Sequence, residues 1–352
     1  MIHQPENLVV AKIPHKRDYA IDNLKGVIII LVILGHNSLL TSFKNPLGDF
    51  LQGYIYLFHM PLFFGLSALF VKDFSWEYVK KRFIQLMLPF LFFVIIDPVN
   101  IIFQVVHPGS SAMPLLLDLH VKDAIKKIFV GSAFYLQSPL WFLPTLFLAN
   151  LLFAFLLKYR LNKLVTGIYL IAFCIVLLFA GIIQTKHYCV PYGIDAAIYI
   201  IPLLFLTHFV YINKRRFFKY NPVIYLGTII ASSLLILLVI PKRPPASLTG
   251  RFDIAQFYVP NTIWGYVLIC ALSVSIFLLF LKYNKRTIFS MIGLYTMPIF
   301  ILHVYPWFNN FRDLPPILFL VLNVIGDLVI AIGISKLLMK ISPIFRWIGM
   351  VA

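Results

Sequence analysis

Ten runs of mostly apolar residues, each close to the length of a membrane span, follow one another along the chain. About 20 consecutive apolar residues form an α-helix long enough to cross the hydrocarbon core of a bilayer. The runs are Leu24–Leu40, Gln52–Val71, Phe83–Val106, Pro139–Leu157, Leu164–Ile183, Ile194–Ile212, Pro222–Pro241, Tyr258–Leu281, Ile288–Tyr305 and Ile317–Leu338. They predict an all-α, polytopic integral membrane protein with about ten transmembrane helices.

The composition excludes a water-soluble globular enzyme. Hydrophobic residues make up 61% of the chain and charged residues only 12%, whereas soluble domains are roughly 45–50% apolar and about 25% charged. In a soluble protein, the net charge of +17 would indicate a nucleic-acid partner. Here the basic residues lie in short loops between apolar runs, so we expect membrane lipid as a partner and no nucleic acid. The three cysteines have no paired spacing, which predicts neither a disulfide framework nor a metal site.

Lysine and arginine are distributed unequally between the two sides of the predicted helices. Twenty-one of them fall on the side that holds both chain ends, and nine fall on the other side. By the positive-inside rule, both termini are predicted to be cytoplasmic, in a protein of the cell membrane. Residues 1–23 and 339–352 then form cytoplasmic segments around a transmembrane domain over residues 24–338. The N-terminal segment has no small-residue cleavage site, so we expect no removable signal peptide.

Titratable side chains inside predicted spans are costly, and each is a candidate functional residue. They are His36, His59, Asp97, Asp195, His208, His303 and Asp327. Counting along the spans puts His36, His59, His303 and Trp141 in one layer of the outer half of the membrane. Structural roles are the alternative: an interior histidine that is merely hydrogen-bonded, or a tryptophan that anchors a helix at the interface. For His59, and for His208 near the inner end of its span, the structural role is favoured when the residue is taken by itself.

The first span carries the most specific pattern of the chain. Residues Arg17–Asn37 read RDYAIDNLKGVIIILVILGHN, with ten residues between Lys25 and His36. A helix separates these two residues by about 16 Å along its axis, which puts a cation at one membrane surface and a histidine deep in the bilayer. This segment resembles the membrane-bound acyltransferase family three, whose hallmark is Arg or Lys, ten residues and His in the first span. Within that family it resembles the fucose 4-O-acetylase-like branch.

Four further segments resemble the family's motifs and occur in the family's order. They are Phe58–Ser67 (FHMPLFFGLS), Lys80–Phe90 (KKRFIQLMLPF), Pro139–Leu143 (PLWFL) and Pro298–His303 (PIFILH). Together with the first span, they extend the resemblance over most of the chain. One departure is Gly65–Ala68, where many members have Ser-Gly, and it concerns local packing.

The resemblance implies transfer of an acyl group, usually acetyl from acetyl-CoA, to a hydroxyl of a surface glycan or a lipid-linked saccharide. His36 would be a general base or an acyl-accepting nucleophile, two roles that the sequence leaves open. His59 would be a second catalytic histidine or a hydrogen-bonding partner of the substrate. Trp141 and His303 would bind the acceptor.

The basic residues near the inner membrane surface would bind the donor. Arg17, Lys25 and Arg82 are the candidates for the clamp on the phosphates of coenzyme A. Asp22 lies about 21 Å from His36 along the helix, too far for an Asp–His pair. We therefore expect Asp22 to orient Lys25 or Arg82.

Two other functions remain open on the sequence alone. In a transporter or a flippase of lipid-linked saccharides, the same histidines and acidic residues would be translocation contacts. A non-catalytic membrane scaffold would not need His36. The ordered motifs favour the enzyme.

Overall fold

The computed structural model describes residues 17–36, 46–71, 73–94, 139–159, 162–185, 191–239, 263–303 and 314–346. Within these ranges the backbone folds into helices joined by turns, and it forms no strand. The helices are α1 (Tyr19–His36), α2 (Pro46–Ser67), α3 (Trp76–Arg82), α4 (Phe142–Lys158), α5 (Lys163–Thr185), α6 (Ile194–Ile212), α7 (Lys214–Phe217), α8 (Pro222–Val239), α9 (Ile263–Lys282), α10 (Ile288–Ile292), α11 (Thr296–Leu302) and α12 (Pro316–Ile341). The predicted all-α class is confirmed for this part of the chain.

Several helices have the length and composition of membrane spans. Within the ranges given above, four are long and apolar enough to cross a bilayer, over Tyr19–His36, Pro191–Ile212, Trp264–Lys282 and Ile317–Ile341. Shorter apolar helices cover Tyr54–Phe70, Phe142–Lys158, Lys163–Leu178, Pro222–Ile236 and Ile288–Leu302. These helices support a membrane protein, whereas the count of ten spans and the sidedness of the termini remain predictions.

Helix α1 lies at the centre of the described bundle. It packs against α2, α9, α10, α11 and α12, and its residues Ile28, Ile29 and Val32 are fully buried. Helix α6 packs against α2, α4, α5 and α9. Because α1 is surrounded by other helices, its polar side chains face protein along most of its length.

The outer surface of the bundle is apolar. On α12, the side chains of Ile317, Val329 and Ile341 are exposed, and so is Trp264 near the start of α9. In water this surface would be unfavourable, but against lipid chains it costs nothing. A tryptophan at a helix end is typical of the membrane interface.

Some helix boundaries differ from those predicted by apolar runs. Helix α1 begins at Tyr19, not at Leu24, because the carboxylate of Asp18 accepts a hydrogen bond from the Ala20 amide at 3.1 Å and caps a polar first turn. The predicted span Ile288–Tyr305 is divided into α10, a 3₁₀ turn at Gly293–Tyr295, and α11. Helix α3 continues into a π-helical turn at Phe83–Met87. Asp97 lies outside the described residues.

Candidate active site

Three histidines and a tyrosine from three helices meet at one level of the bundle. The ring of His36, at the end of α1, lies edge-to-face against that of His303, which follows α11, with 5.0 Å between ring centroids. Tyr56 of α2 lies between His36 and His59, with centroid separations of 5.4 Å and 4.9 Å, respectively. We call these four residues the histidine cluster. The histidines that the sequence puts at one depth are thus neighbours, and their roles stay predictions.

Each histidine of the cluster is fixed through Nδ1 to a carbonyl oxygen of its own chain segment. The carbonyl partners of His36, His59 and His303 are Val32, Ile55 and Phe300, at 2.9 Å, 2.6 Å and 2.7 Å, respectively. A carbonyl oxygen can only accept, so Nδ1 carries the hydrogen and donates it. Nε2 is therefore the basic nitrogen of each ring, as a general base or a nucleophile requires.

Exposure separates the three rings. His36 is exposed, whereas His59 is 0% and His303 7% exposed. The Nε2 atoms of His59 and His303 have no hydrogen-bond partner among the residues that the structure describes. Of the three rings, the His36 ring is thus the one open to a substrate, with the His303 ring in contact with it and the His59 ring next to Tyr56.

Trp141 connects to the histidine cluster through two phenylalanines. It ends the 3₁₀ turn Pro139–Trp141, which packs against α11. Its ring lies 6.2 Å from that of Phe142, which lies 5.3 Å from that of Phe300. Phe300 in turn lies 5.9 Å from the ring of His303. The structure therefore brings Trp141 to the level of His303, within a continuous aromatic contact.

A second group of side chains surrounds the beginning of α1. Asp22 accepts a hydrogen bond from Arg17 Nε at 2.6 Å, and its other oxygen is 3.7 Å from Lys25 Nζ. Lys25 Nζ lies 4.8 Å from the centroid of the Phe70 ring, and Arg82 donates to the Phe70 carbonyl at 2.9 Å. We call these five residues the cationic cluster. Three cations against one carboxylate leave a positive excess, which suits phosphate groups.

Arg82 is oriented by its own helix. Helix α3 begins at a cap in which the Ser75 hydroxyl accepts from the Tyr78 amide at 3.2 Å. One turn later, Arg82 Nε donates to the Tyr78 hydroxyl at 3.2 Å. Burial raises the pKa of Tyr78 above its ordinary value, so the phenol stays neutral beside the guanidinium. Of the two cations that Asp22 was expected to orient, Lys25 lies within ion-pair distance, whereas Arg82 is oriented by Tyr78 and Phe70.

The two clusters are joined by a pair of antiparallel elements of matched length. Eleven positions separate Lys25 from His36 on α1, and the same number separates His59 from Phe70 along α2 and the 3₁₀ turn Ala68–Phe70 that follows it. Each stretch covers about 16 Å at the helical rise. Phe70 therefore lies at the level of Lys25, and His59 lies at the level of His36.

The remaining titratable residues of the spans have other surroundings. His208 Nδ1 donates to the Ala68 carbonyl at 3.3 Å, and the ring packs on Phe153 with 5.6 Å between centroids. This is the structural role that the sequence favoured for His208. Asp195, in the first turn of α6, accepts from the Ala196 amide at 2.8 Å. Asp327 is buried on α12.

Sequence reasoning missed two residues of the clusters. Tyr56 lies three positions before His59, a spacing that puts two side chains on one helix face, so the sequence did contain a signal. Phe70 takes part through its ring and its backbone carbonyl, and a backbone contact leaves no trace in residue type.

Comparisons with known proteins identify a family. A family model described as an acyltransferase domain matches residues 18–339. Nodulation protein NolL of Mesorhizobium japonicum (strain LMG 29417 / CECT 9101 / MAFF 303099) is 33% identical over 129 residues, which are 34% of each chain. Nodulation protein NolL of Sinorhizobium fredii (strain NBRC 101917 / NGR234) is 37% identical over 86 residues, 22% of this chain and 24% of the relative.

The alignments therefore span 24% and 34% of the length of these two relatives. No solved structure matches the chain. The family model nevertheless includes every residue of both clusters except Arg17. Its range covers most of the chain, and the long apolar helices support a membrane protein. The chain belongs to this acyltransferase family.

Proposed function

We propose that the protein is an O-acetyltransferase that moves an acetyl group from acetyl-CoA, bound from the cytoplasmic side, to a hydroxyl of a cell-surface glycan or a lipid-linked saccharide. The resemblance to the fucose 4-O-acetylase-like branch makes a deoxyhexose hydroxyl the first acceptor to try. One observation carries the proposal: α1 has the cationic cluster at one end and the histidine cluster at the other. An anionic donor with a long flexible arm and a reactive thioester end fits this arrangement.

The cationic cluster is proposed to bind the phosphates of coenzyme A. Arg17, Lys25 and Arg82 supply the charge, and Asp22 holds Arg17 and Lys25 on one side of α1. Arg82 donates hydrogen bonds to the Phe70 carbonyl and the Tyr78 hydroxyl that orient its guanidinium group. Charge-assisted hydrogen bonds from guanidinium and ammonium groups are the usual protein contacts to phosphate.

His36 is proposed to carry out the proton transfer. Its Nε2 accepts the proton of the saccharide hydroxyl while the hydroxyl oxygen bonds to the thioester carbonyl carbon. The carbon–sulfur bond breaks, and the same Nε2–H then gives its proton to the departing thiolate, so the acetyl ester and the free thiol are both neutral. The bond from Nδ1 to the Val32 carbonyl keeps the ring in the orientation and tautomer that this requires.

A second route uses the same nitrogen as a nucleophile. In it, Nε2 of His36 bonds to the carbonyl carbon and the carbon–sulfur bond breaks, which leaves a cationic acetyl-imidazolium and a thiolate. The saccharide hydroxyl oxygen then bonds to the acetyl carbon, the bond to Nε2 breaks, and the hydroxyl proton passes to the thiolate, so the ester, the imidazole and the thiol are all neutral. The Nδ1–H tautomer serves both routes. Incubation with donor alone decides between them, because only the second leaves label on His36 in the absence of an acceptor.

The other members of the histidine cluster are proposed to act on the acceptor side. His59 and Tyr56 support the His36 ring from α2, with His59 as the second catalytic histidine. His303 and Trp141, connected through Phe142 and Phe300, line the side from which the saccharide approaches.

Radiolabelled acetyl-CoA and purified protein in lipid vesicles test the proposal. With a fucosylated saccharide as acceptor, we expect label on the saccharide with the natural sequence and none with His36→Ala. Movement of saccharide across the vesicle without label would instead support a transporter or flippase. Absence of both would contradict each of these functions.

Sidedness has its own test. Topology reporters fused at Arg215 and Lys285 are expected to report the cytoplasm, and one fused at Gly109 the opposite side. A reporter on the wrong side at any of these positions would contradict the ten-span arrangement and with it the cytoplasmic entry of the donor.

A further inference from the structure

Helix α1 crosses the α10–α11 segment with no side chain between the two backbones. A β-carbon at Gly26 would overlap the Phe289 carbonyl oxygen and lie 2.7 Å from its carbonyl carbon. At Gly293, a β-carbon would overlap the Asp22 carbonyl oxygen and lie 2.9 Å from its carbonyl carbon. Atoms that are not bonded to each other do not approach so closely, so only glycine fits at either position. Small residues allow the closest helix contacts in membrane proteins.

Hydrogen bonds fix the position of α1 along this crossing. Asn23, which is 2% exposed, donates from Nδ2 to the Lys285 carbonyl at 2.8 Å. The Thr287 hydroxyl donates to Asn23 Oδ1 at 2.5 Å. Both partners precede α10, so α1 cannot slide along the crossing without breaking these bonds.

The crossing glycines and the two contacting histidines are spaced identically on their segments. His36 follows Gly26 by ten positions on α1, and His303 follows Gly293 by ten positions through the 3₁₀ turn and α11. Ten positions of helix extend about 15 Å. The two stretches of chain therefore start at one crossing, have the same number of residues, and end at His36 and His303, whose ring centroids are 5.0 Å apart. The depth at which the rings meet thus follows from where the backbones cross.

We propose that Gly26 and Gly293 are positioning residues, which act through His36: their contact sets the depth and separation of the His36–His303 ring pair. His303 then holds the His36 ring edge-to-face in the orientation used for transfer. The effect on catalysis rests on the proposed acetyl transfer, whereas the control of ring separation does not.

Chemical cross-linking tests the geometry without any activity. The test uses the whole chain with Cys174, Cys189 and Cys270 replaced by serine and with the substitutions His36→Cys and His303→Cys. A short bifunctional thiol reagent joins the two introduced thiols, and mass spectrometry quantifies the cross-linked product over time. Intramolecular rates depend steeply on the positions of the reacting groups, so Gly293→Ala should slow the cross-link by about ten-fold.

The matched control is Gly333→Ala on α12, where an added β-carbon meets nothing within 4 Å. It should leave the cross-linking rate unchanged. If Gly293→Ala fails to fold, Thr287→Val removes, without adding atoms, the hydroxyl bond to Asn23 together with the cap on the Phe289 amide. A slower cross-link is expected there as well. A folded Gly293→Ala or Thr287→Val protein that cross-links at the unchanged rate would overturn the proposal.

Transfer kinetics test the consequence for catalysis. Gly293→Ala should lower kcat by roughly 10- to 100-fold, the cost of a small misplacement of a reacting group, and leave the KM for acetyl-CoA within about three-fold. His303→Asn, which can keep a donor for the Phe300 carbonyl but does not reach His36, should lower kcat similarly. Combined, the two substitutions should cost no more than either alone, because both act through one ring pair.

Additive losses in the double variant would show that the glycine acts elsewhere, and would contradict the proposal. Failure of the unaltered protein to transfer acetyl would contradict the proposed function only. The cross-linking result would then still decide whether the crossing sets the ring separation.

Discussion

The two ends of α1 are held by different kinds of contact. In the cationic cluster, the long side chains of Arg17 and Lys25 are joined to Asp22 by ion pairs and are 42% and 27% exposed. The histidine cluster consists of short rings, and each of its three histidines is hydrogen-bonded to a carbonyl of its own segment. Partly exposed ion pairs contribute little energy each and adjust easily, whereas a ring bonded to a helix moves only with that helix. We therefore expect substitutions to be tolerated at the first end and not at the second.

Loss of His36 should have the largest effect. His36→Ala removes the proton acceptor, and loss of such a group typically lowers the rate by about 10²–10⁴-fold. The measurement is initial-rate transfer from labelled acetyl-CoA in vesicles, with membrane insertion checked by yield. His208→Ala is the control, because His208 bonds to the Ala68 carbonyl away from the cluster. A folded His36→Ala protein that keeps more than about a tenth of the rate would rule out the assignment.

Loss of His59 should have a smaller effect that is confined to kcat. His59→Asn can keep a donor for the Ile55 carbonyl but removes the basic Nε2 behind Tyr56. We expect kcat to fall by about ten-fold, the contribution of one hydrogen bond to a charged group. The KM for the donor should not change. An increase in that KM with unchanged kcat would show that His59 contributes to donor binding and not to the chemical step.

At the cationic end, single substitutions should affect donor binding. Lys25→Ala and Arg82→Ala should each raise the KM for acetyl-CoA by about ten-fold, since one charge-assisted bond is lost in both the ground and transition states. Saturated rates should stay within about three-fold. Lys282→Ala is the matched control, because that lysine donates to the Tyr220 carbonyl outside the cluster. Unchanged KM values in both folded variants would locate the phosphates elsewhere.

Neutralising the carboxylate of the cationic cluster should have the smallest effect. Asp22→Asn weakens the anchor of Arg17 and Lys25, and partly exposed ion pairs contribute about 0–1 kcal/mol. We expect the KM for acetyl-CoA to rise by no more than about five-fold, at constant kcat. Asp18→Asn, whose carboxylate lies 3.9 Å from Lys214, should change neither constant. A large fall in kcat with Asp22→Asn would mean that the two ends are coupled and not independent.

The sequence predicted which residues lie at the two ends of α1 better than it predicted the helix boundaries and the backbone contacts between helices. Apolar runs and helical spacing were enough to bring His36, His59 and His303 to one depth, because a helix converts residue number into distance. The same rule identified Lys25 at the other end of α1. The start of α1 at Tyr19 was missed, because a count of apolar residues stops where polar residues begin. The first turn of α1 is polar, and its backbone amide at Ala20 is hydrogen-bonded to the Asp18 carboxylate.

Contacts through the backbone were beyond prediction. The Gly26–Gly293 crossing depends on where two main chains approach each other, and the Arg82 contact to Phe70 depends on where a backbone carbonyl lies. Residue type records such approaches only as a glycine, and Gly167, Gly227 and Gly333 show that glycines also occur in open surroundings. The sequence alone does not distinguish the two kinds.

The antiparallel match between α1 and α2 has a consequence for the membrane that surrounds the protein. Bilayers differ in hydrocarbon thickness by a few Å, and transmembrane helices accommodate the mismatch mainly by tilting. Lys25 and His36 lie on one continuous helix, and His59 and Phe70 on its neighbour, so tilting moves both ends together. The length of donor that can reach from one end to the other is therefore the same in a thin and a thick membrane. Under the proposed function, lipid thickness would then change only the depth in the membrane at which the acetyl group is delivered.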